Sequence, residues 1–475
     1  TQLIEIFAAM GSANDIWQLL VNYWPVLLGN TLEWYEFAVY GYLETYMERN
    51  FFRGSALATW LGFTATFVAR PLGGMFLGIL SDSFGRKVAV VITVIGMLAA
   101  TVGQGLLPTP RGWGEETFAG QLGLYMLFIL RLVQGLCTGG EIGAVSTYIT
   151  EVAARRSMGR CVAFISITAN LGFMFAREVI WAFQSRIGEE EMLTWGWRWP
   201  FLLAFIPGVI SVAGRLFCLK ETELFEQEHV ALREEDEEVL AIEEKISERK
   251  STRRHLQEFA CTHFVEVLIG TGGVISFAVF QYGGLVWVNS FLKKHGAPGN
   301  YLMMAGTCSR LLQMILAFPV GWLADLYGTA FVTLAGALVQ TAAGLPLFLA
   351  LQAEPSSVAN LFVTYTFGYS FVAVLQFTIY LYCAELFPTA VRTLGVGVSY
   401  NIGFGLFGGF APLLAEASLE WSSYGPGLLL SLSGLVTVVT ILGSVHLLEH
   451  GQVEKLAHIR PRPYLASWAD GDVGE

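Results

Sequence analysis

Apolar residues gather in twelve stretches of 20 or more positions along the 475-residue chain, and charged residues gather between them. A helix needs about 20 apolar residues to cross the ~30 Å hydrocarbon layer of a membrane. The pattern therefore predicts an all-α membrane protein with twelve transmembrane helices. The stretches are residues 23–46, 56–80, 88–107, 120–149, 161–184, 199–219, 261–290, 301–323, 330–351, 357–383, 393–416 and 426–448.

One long polar segment separates the first six stretches from the last six. Residues 220–258 hold 13 of the 39 acidic residues together with 7 basic ones. Such a run is typical of a solvated helical connector, and its spacing does not match a metal-binding loop. The predicted parts are an N-terminal segment 1–22, a six-helix bundle 23–219, an acidic linker 220–260, a second six-helix bundle 261–448 and a C-terminal tail 449–475.

The second set of six stretches repeats landmarks of the first. A Gly-x-x-x-Asp pattern formed by Gly78 and Asp82 returns as Gly321 and Asp325 after the eighth stretch. The other shared landmarks are a Tyr-x-x-Glu pattern ending at Glu151 and Glu385, and the arginines that follow it, Arg155 and Arg392. Paired six-helix halves are typical of transporters, which hold their substrate between the halves near mid-membrane. We therefore predict two pseudo-symmetric bundles.

The composition narrows the class further. Hydrophobic residues make up 54% of the chain and charged residues 14%, whereas a soluble domain carries roughly 25% charged residues. The net charge of −11 argues against a nucleic-acid binder, which needs basic residues to meet phosphates. The chain has no C-x-x-C pair, no phosphate-binding loop and no nucleophile–base set. We therefore expect no enzyme, no metal and no cofactor.

Lysine and arginine predict the orientation. With the termini on one side, the loops of that side carry 16 Lys and Arg and the opposite loops carry seven; without the linker the ratio is nine to seven. Because basic residues favour the cytoplasmic side, both termini are expected in the cytoplasm. We expect a monomeric, multi-pass protein of the plasma membrane with a small-molecule substrate.

Several motifs resemble a known family. The segment from Gly78 through Asp82, Gly85 and Arg86 to Lys87 resembles the loop motif of the major facilitator superfamily. Further stretches resemble its metabolite:proton symporter branch, which includes proline/betaine, α-ketoglutarate, citrate and shikimate carriers. They are residues 29–37, 70–74, 131–141, 196–201 and 400–412.

The resemblance implies the major facilitator fold and a proton-coupled symporter that works by alternating access. Its substrate would be a small carboxylate or zwitterionic metabolite, such as an organic acid, proline or a betaine-like osmolyte, and the proton would be the coupling ion. An uncoupled facilitator and a non-transporting membrane sensor remain alternatives. The chain departs from the family in having Glu36 where Asp is usual, in lacking the basic pair after Gly328, and in carrying adjacent Arg177 and Glu178.

Charged residues inside the apolar stretches point to the site, because each costs at least ~2.5–3.5 kcal/mol to insert. The acids are Glu33, Glu36, Glu141, Glu178 and Glu266, and the bases are Arg70, Arg131, Arg177 and Arg310. Steps of three or four residues place Asn30, Glu33, Glu36 and Tyr40 on one face of the first helix, and Arg131, Gln134 and Glu141 on one face of the fourth. Adjacent Arg177 and Glu178 point about 100° apart on a helix, so each is expected to reach another helix.

We expect Arg131, with Arg70 or Arg177, to hold a substrate carboxylate, and Glu36 or Glu33 to bind the proton. The predicted substrate-binding residues are Asn30, Tyr40, Arg70, Arg131, Gln134, Arg177, Glu178, Tyr400 and Asn401. Arg131 and Glu36 would then face one water-filled cavity. The alternative is that these charges are salt bridges that lock helices together.

A second set of residues is predicted to gate the carrier. Asp82 would meet the N-terminus of the eleventh helix, where the helix dipole favours a carboxylate, and Gly78 would let the two helices approach. A loop contact without a gating role is the alternative. The predicted gating residues are Gly78, Asp82, Gly85, Arg86, Glu141, Glu151, Arg155, Asp325, Glu385 and Arg392.

Overall fold

The computed structural model describes residues 12–114, 117–152, 157–218, 259, 261–388 and 391–449, and within these ranges the chain forms helices and no strands. The spanning helices are α1 (Ser12–Tyr42), α2 (Ala56–Phe84), α3 (Arg86–Gly105), α4 (Phe118–Val152), α5 (Met158–Thr194), α6 (Gly196–Phe217), α7 (Phe264–Lys294), α8 (Gly299–Tyr327), α9 (Thr329–Ala353), α10 (Val358–Glu385), α11 (Arg392–Trp421) and α12 (Gly425–Glu449). We call α1–α6 the N-half and α7–α12 the C-half. The predicted linker 220–260 lies outside the described residues except for Phe259.

Eleven of these helices are long and apolar enough to cross a membrane, counted over the described part of the chain. The remaining helix, α1, carries Asp15, Glu33 and Glu36, which lower its hydropathy, and it packs along α5. The predicted all-α fold with twelve transmembrane helices is confirmed. The protein is an integral, multi-pass membrane protein.

Two helices extend ten or more residues beyond the apolar stretches that predict them. Helix α1 begins at Ser12 rather than near residue 23. Helix α5 continues to Thr194, past a break at Gly188, where φ is 83°; glycine adopts a positive φ without the steric cost that a Cβ brings. Both extensions carry charged residues, such as Asp15 in α1 and the three glutamates 189–191 in α5. The apolar pattern therefore marks the part of each helix that crosses the membrane and not the ends of the helix.

Two pseudo-symmetric contacts join the halves: α2 packs on α11, and α5 packs on α8. Both bring backbone against backbone at glycines. A Cβ added to Gly74 would lie 2.3 Å from the carbonyl oxygen of Gly397, and one added to Gly159 would lie 2.5 Å from that of Gly321. Small residues allow such close approach of membrane helices.

The two membrane faces are named here by their landmarks. The linker face carries Phe217 and Phe264, the helix ends that flank the linker, and also the end of α2 and the start of α5. The far face carries Lys294, Thr194 and a short helix, Glu44–Phe51, between α1 and α2.

Candidate functional site

A small cavity with room for about one water molecule lies between the two halves. Half of its lining side chains are aromatic, and Arg310 is the one guanidinium among them. The lining residues are Trp34, Ser166, Ala169, Asn170, Phe173, Phe277, Gln281, Arg310, Phe377 and Tyr380. Helices α1 and α5 supply one wall and α7, α8 and α10 the other, so the cavity occupies the position between the bundles that the duplication predicts.

Arg310 is 3% exposed and has neutral partners. Its Nη1 donates to Asn170 Oδ1 at 3.0 Å and to Gln281 Oε1 at 3.1 Å, and its guanidinium lies 4.1 Å from the centre of the Phe173 ring. Its Nη2 has no hydrogen-bond partner, and no described carboxylate lies within ion-pair distance. A buried cation without an anion is costly, so the cavity is electrostatically suited to receive a carboxylate.

The predicted site set leaves Arg310 out. The signal was in the sequence, because Arg310 is a lone charge in the middle of an apolar stretch. Its partners Asn170 and Gln281 stand on α5 and α7, and no spacing rule brings these helices together in advance.

Arg131 and Glu36 come together through Gln134. Arg131 Nη1 donates to Gln134 Oε1 at 2.9 Å, and Gln134 Nε2 donates to Glu36 Oε2 at 3.3 Å. Arg131 also lies 4.1 Å from the centre of the Tyr40 ring and donates to the Phe63 carbonyl. Arg131, Gln134 and Glu36 are fully buried inside the N-half and none of them lines the cavity. The structure therefore shows them in a sealed cluster, not in the shared water-filled cavity expected from the sequence.

Arg70 joins Glu33 to the opposite half. Its Nη2 lies 3.3 Å from Glu33 Oε1, and its Nε donates to Asn401 Oδ1 at 3.0 Å. Glu33 and Arg70 belong to the N-half and Asn401 to α11, and all three are fully buried. Of the residue sets predicted from the sequence, this one spans the interface between the halves near the cavity.

Asn30 and Tyr400 stand one layer behind the cavity wall. Asn30 Oδ1 accepts a hydrogen bond from Trp34 Nε1 at 3.1 Å, and Asn30 Nδ2 donates to Thr168 Oγ1 at 2.7 Å. The Tyr400 ring stacks on that of Tyr380, with 5.7 Å between ring centres. These two residues therefore hold cavity-lining aromatic rings in position.

Arg177 and Glu178 both reach α8 in the C-half. Arg177 Nη1 donates to the Leu302 carbonyl at 3.3 Å, and Thr307 donates to Glu178. A Cβ added to Gly306 would lie 1.7 Å from Arg177 Nη1, so the guanidinium occupies the space that a side chain there would need. The pair fastens the two halves together on the far-face side of the cavity.

Asp325 fastens the halves at the linker face. Its Oδ1 accepts from the Gly159 backbone N–H at 2.6 Å and its Oδ2 from Arg160 Nε at 2.8 Å, at the start of α5. The sequence predicts the same arrangement for Asp82 at the start of α11. The side chains of Asp82, Arg86 and Glu151, and all of Arg155, lie outside the described residues.

The other predicted gating residues have different surroundings. At Gly78 an added Cβ would lie 3.0 Å from the Leu394 Cα, which shows how closely α2 meets the start of α11, and Gly85 ends α2 with a φ of 107°. Glu141 forms an ion pair with Arg215 of α6 and accepts from Thr93 of α3. Of the remaining two, Glu385 of α10 accepts from Thr329 of α9, and Arg392 donates to the Phe387 carbonyl.

Arg215 is a fully buried residue that the predicted set misses. It lies against Gly29, and both of its terminal nitrogens donate to Glu141. The pair lies within the N-half, which makes it a contact between helices of one bundle.

A charged cluster closes the far face. Lys294 Nζ lies 3.1 Å from Glu44 Oε1, 3.7 Å from Glu48 Oε2 and 3.9 Å from Glu416 Oε1. Glu44 and Glu48 belong to the N-half, and Lys294 and Glu416 to the C-half. With contacts between the halves on both sides of the cavity, the structure represents an occluded state.

The family model for sugar (and other) transporters matches residues 21–449. The chain belongs to this family. An ectoine/proline transporter of Corynebacterium glutamicum is 32% identical over 413 residues, covering 83% of this chain and 77% of that protein. A proline/betaine transporter of Escherichia coli K12 is 28% identical over 444 residues, covering 87% of this chain and 81% of that protein.

A solved structure of similar fold is the proton:xylose symporter XylE bound to 6-bromo-6-deoxy-D-glucose. It matches with a TM-score of 0.69 and 19% identity over 92% of this chain and 96% of that one. The membership in the major facilitator superfamily that the motifs imply is confirmed. The matching proteins are transporters, so this chain is a membrane transporter of small molecules and not an enzyme.

Proposed function

We propose that this protein is a proton-coupled symporter of a small zwitterionic or carboxylate metabolite, working by alternating access between the linker face and the far face. The observation that carries the proposal is Arg310, a buried guanidinium with a free Nη2 that lines the cavity between the halves. A substrate carboxylate would complete its hydrogen bonds and balance its charge. No cofactor is needed, because the proton gradient supplies the energy.

The aromatic walls favour a zwitterion over a simple dicarboxylate. Trp34, Phe173, Phe277 and Tyr380 surround the cavity, and aromatic faces attract ammonium groups. The names of the relatives from C. glutamicum and E. coli support this substrate class.

Proton coupling is proposed from the carboxylates of α1. Glu33, next to the cavity-lining Trp34, and Glu36, one turn along α1, are both fully buried, and neutralising a buried carboxylate changes the local balance of charge strongly. An uncoupled facilitator and a non-transporting sensor are the competing functions. The excess of basic residues on the linker face supports a cytoplasmic location for that face and both termini, in the plasma membrane, and we propose that the monomer transports.

Transport by purified protein in liposomes tests this function. Wild type should exchange labelled proline or betaine and accumulate it when the pH outside is lower than inside. A facilitator would exchange without accumulating, and a sensor would bind without flux. Absence of binding and flux for all zwitterions and organic acids tried would overturn the proposal.

The Arg310→Gln variant tests the carboxylate site. Removing one partner of a buried charge pair costs about 2–5 kcal/mol, so the substrate Kd should rise at least about 30-fold. Arg186→Gln is the matched control, because Arg186 is exposed on the far-face end of α5. Unchanged affinity in a correctly folded Arg310→Gln protein would exclude Arg310 from the site.

A further inference from the structure

The two buried carboxylates of α1, Glu33 and Glu36, differ in whether their contacts extend to the C-half. Glu36 accepts a hydrogen bond from Gln134, and this partner belongs to the same half. Glu33 is paired with Arg70, and Arg70 reaches Asn401 in the other half. A change of charge at Glu33 is therefore transmitted across the interface, whereas a change at Glu36 stays within the N-half.

The Glu33–Arg70 pair is held by one contact. Glu33 Oε2 and Arg70 Nη1 have no hydrogen-bond partner, and both residues are fully buried. Apart from the hydrogen bond to Asn401, the guanidinium is surrounded by rings: its centre lies 5.0 Å from that of Phe37 and 5.3 Å from that of Phe404. When Glu33 is neutral, Arg70 loses its one anionic partner and is held only by this neutral hydrogen bond and by the rings.

Asn401 stands at the point where α2, α4 and α11 meet. Its Nδ2 donates to the Gly139 carbonyl of α4 and to the Gly397 carbonyl of its own helix. A Cβ on Gly74 would lie 2.6 Å from Asn401 Nδ2 and 2.3 Å from the Gly397 carbonyl oxygen. The Arg70–Asn401 hydrogen bond therefore lies in the α2–α11 contact that must change when the halves rock.

Among the charged groups around Glu33, Arg70 is the cation that pairs with it. Glu36 lies one turn along α1, and Glu141 faces Glu33 from α4 but is already paired with Arg215. The hydroxyl-bearing groups facing Glu33 are Tyr282 of α7 and Tyr380 of α10. Trp34, the residue next to Glu33, lines the cavity and packs edge-on against Phe404, with 5.6 Å between ring centres. The Phe404 ring therefore contacts both Trp34 in the cavity wall and the Arg70 guanidinium.

We propose that Glu33 is the proton-binding carboxylate, and that Arg70 and Asn401 are positioning residues that transmit its state to the α2–α11 contact. A proton from water binds the Glu33 carboxylate and yields a neutral acid, which breaks the ion pair. Arg70 then has no anionic partner and can leave Asn401, and the halves can separate along α2 and α11. Loss of the proton restores both contacts. The inference rests on the proposed transport function.

Glu33→Gln and Glu36→Gln are matched variants one helical turn apart. In liposomes, Glu33→Gln should keep substrate exchange within about threefold of wild type and lose accumulation driven by a pH gradient. Glu36→Gln should still accumulate substrate in a pH gradient, at a lower rate, because its contact with Gln134 lies within the N-half. Accumulation by Glu33→Gln, or its loss in Glu36→Gln alone, would overturn the assignment. Absence of exchange by wild type would instead contradict the proposed transport function itself.

The Asn401→Ala variant tests whether Asn401 transmits the protonation state of Glu33 or has only a structural role. The substrate affinity of wild type should fall as the pH rises, because the proton and substrate favour the same state. In Asn401→Ala, binding should persist but its pH profile should become flat, as it should in Glu33→Gln. A purely structural role would shift affinity equally at every pH and keep the wild-type slope, and that result would overturn the role given to Asn401.

Discussion

At the scale of single residues, buried arginines of this protein divide by the charge of their partners. Arg215 and Arg70 lie against the carboxylates of Glu141 and Glu33, whereas Arg310 has amides and a ring. A paired guanidinium has its charge balanced within the protein. Arg131 also has neutral partners but does not line the cavity. The charge of the partner together with a place in the cavity wall therefore distinguishes Arg310, the arginine that we propose binds the substrate.

The Glu141–Arg215 pair predicts an asymmetric response to mutation. Glu141→Gln leaves Arg215 buried without an anion and should lower the free energy of unfolding by about 3–5 kcal/mol. The double variant Glu141→Leu with Arg215→Met removes both charges and should cost less than the single one. Unfolding in mixed detergent micelles measures both, with exposed Arg186→Gln as control. A double variant less stable than Glu141→Gln would contradict this explanation.

The residues of the site were partly accessible from the sequence. Helical spacing placed Arg131, Gln134 and Glu36 on facing sides, and the structure joins them. Spacing along one helix does not reveal partners on a distant helix. The hydrogen bond between Arg70 and Asn401, which are 331 positions apart, could therefore not be predicted from the sequence. Arg310 was visible as a buried charge but could not be ranked above the other arginines without its surroundings.

At the scale of elements, helices α5 and α8 meet along their length and are fastened at two points. Asp325 holds the start of α5 at the linker face, and Arg177 fits against Gly306 on the opposite side of the cavity. The positions of these helices followed from apolar stretches alone. Their pairing did not, because hydropathy identifies a span and says nothing about which other span it touches.

The Arg177–Gly306 contact predicts that the effect of adding a methyl group at Gly306 depends on the Arg177 side chain. Gly306→Ala should displace the guanidinium, open the far face and reduce substrate exchange several-fold. In an Arg177→Ala background the same methyl group has room, so adding it should change little. A double-mutant cycle on exchange rates measures this coupling. Equal effects of Gly306→Ala in both backgrounds would show that the methyl group disturbs something other than Arg177.

At the scale of the whole molecule, the far-face cluster makes closure depend on pH. Burial and the neighbouring Glu44 raise the pKa of Glu48, against the opposing effect of Lys294. A carboxyl whose pKa is raised in the closed state binds its proton more tightly there than when exposed. The closed far face is therefore favoured as the pH falls towards the raised pKa of Glu48 and disfavoured as the pH rises above it.

Glu48→Gln should remove this pH dependence and keep the far face closed. Distances between spin labels at Arg186 and Tyr301, measured as the pH is varied, report the opening of that face. Glu420→Gln, an exposed change on the same face, should behave as wild type. A Glu48→Gln protein that still opens with rising pH would assign the response to another group.

The halves touch through bare peptide backbone at Gly74 with Gly397 and at Gly159 with Gly321. Because no side chains interdigitate at these contacts, one bundle can move on the other without separating packed side chains. The same close contact leaves no space for a side chain, so a methyl group at any of the four positions would push the two halves apart. We therefore expect a methyl group at any of these four positions to slow the movement of one half on the other.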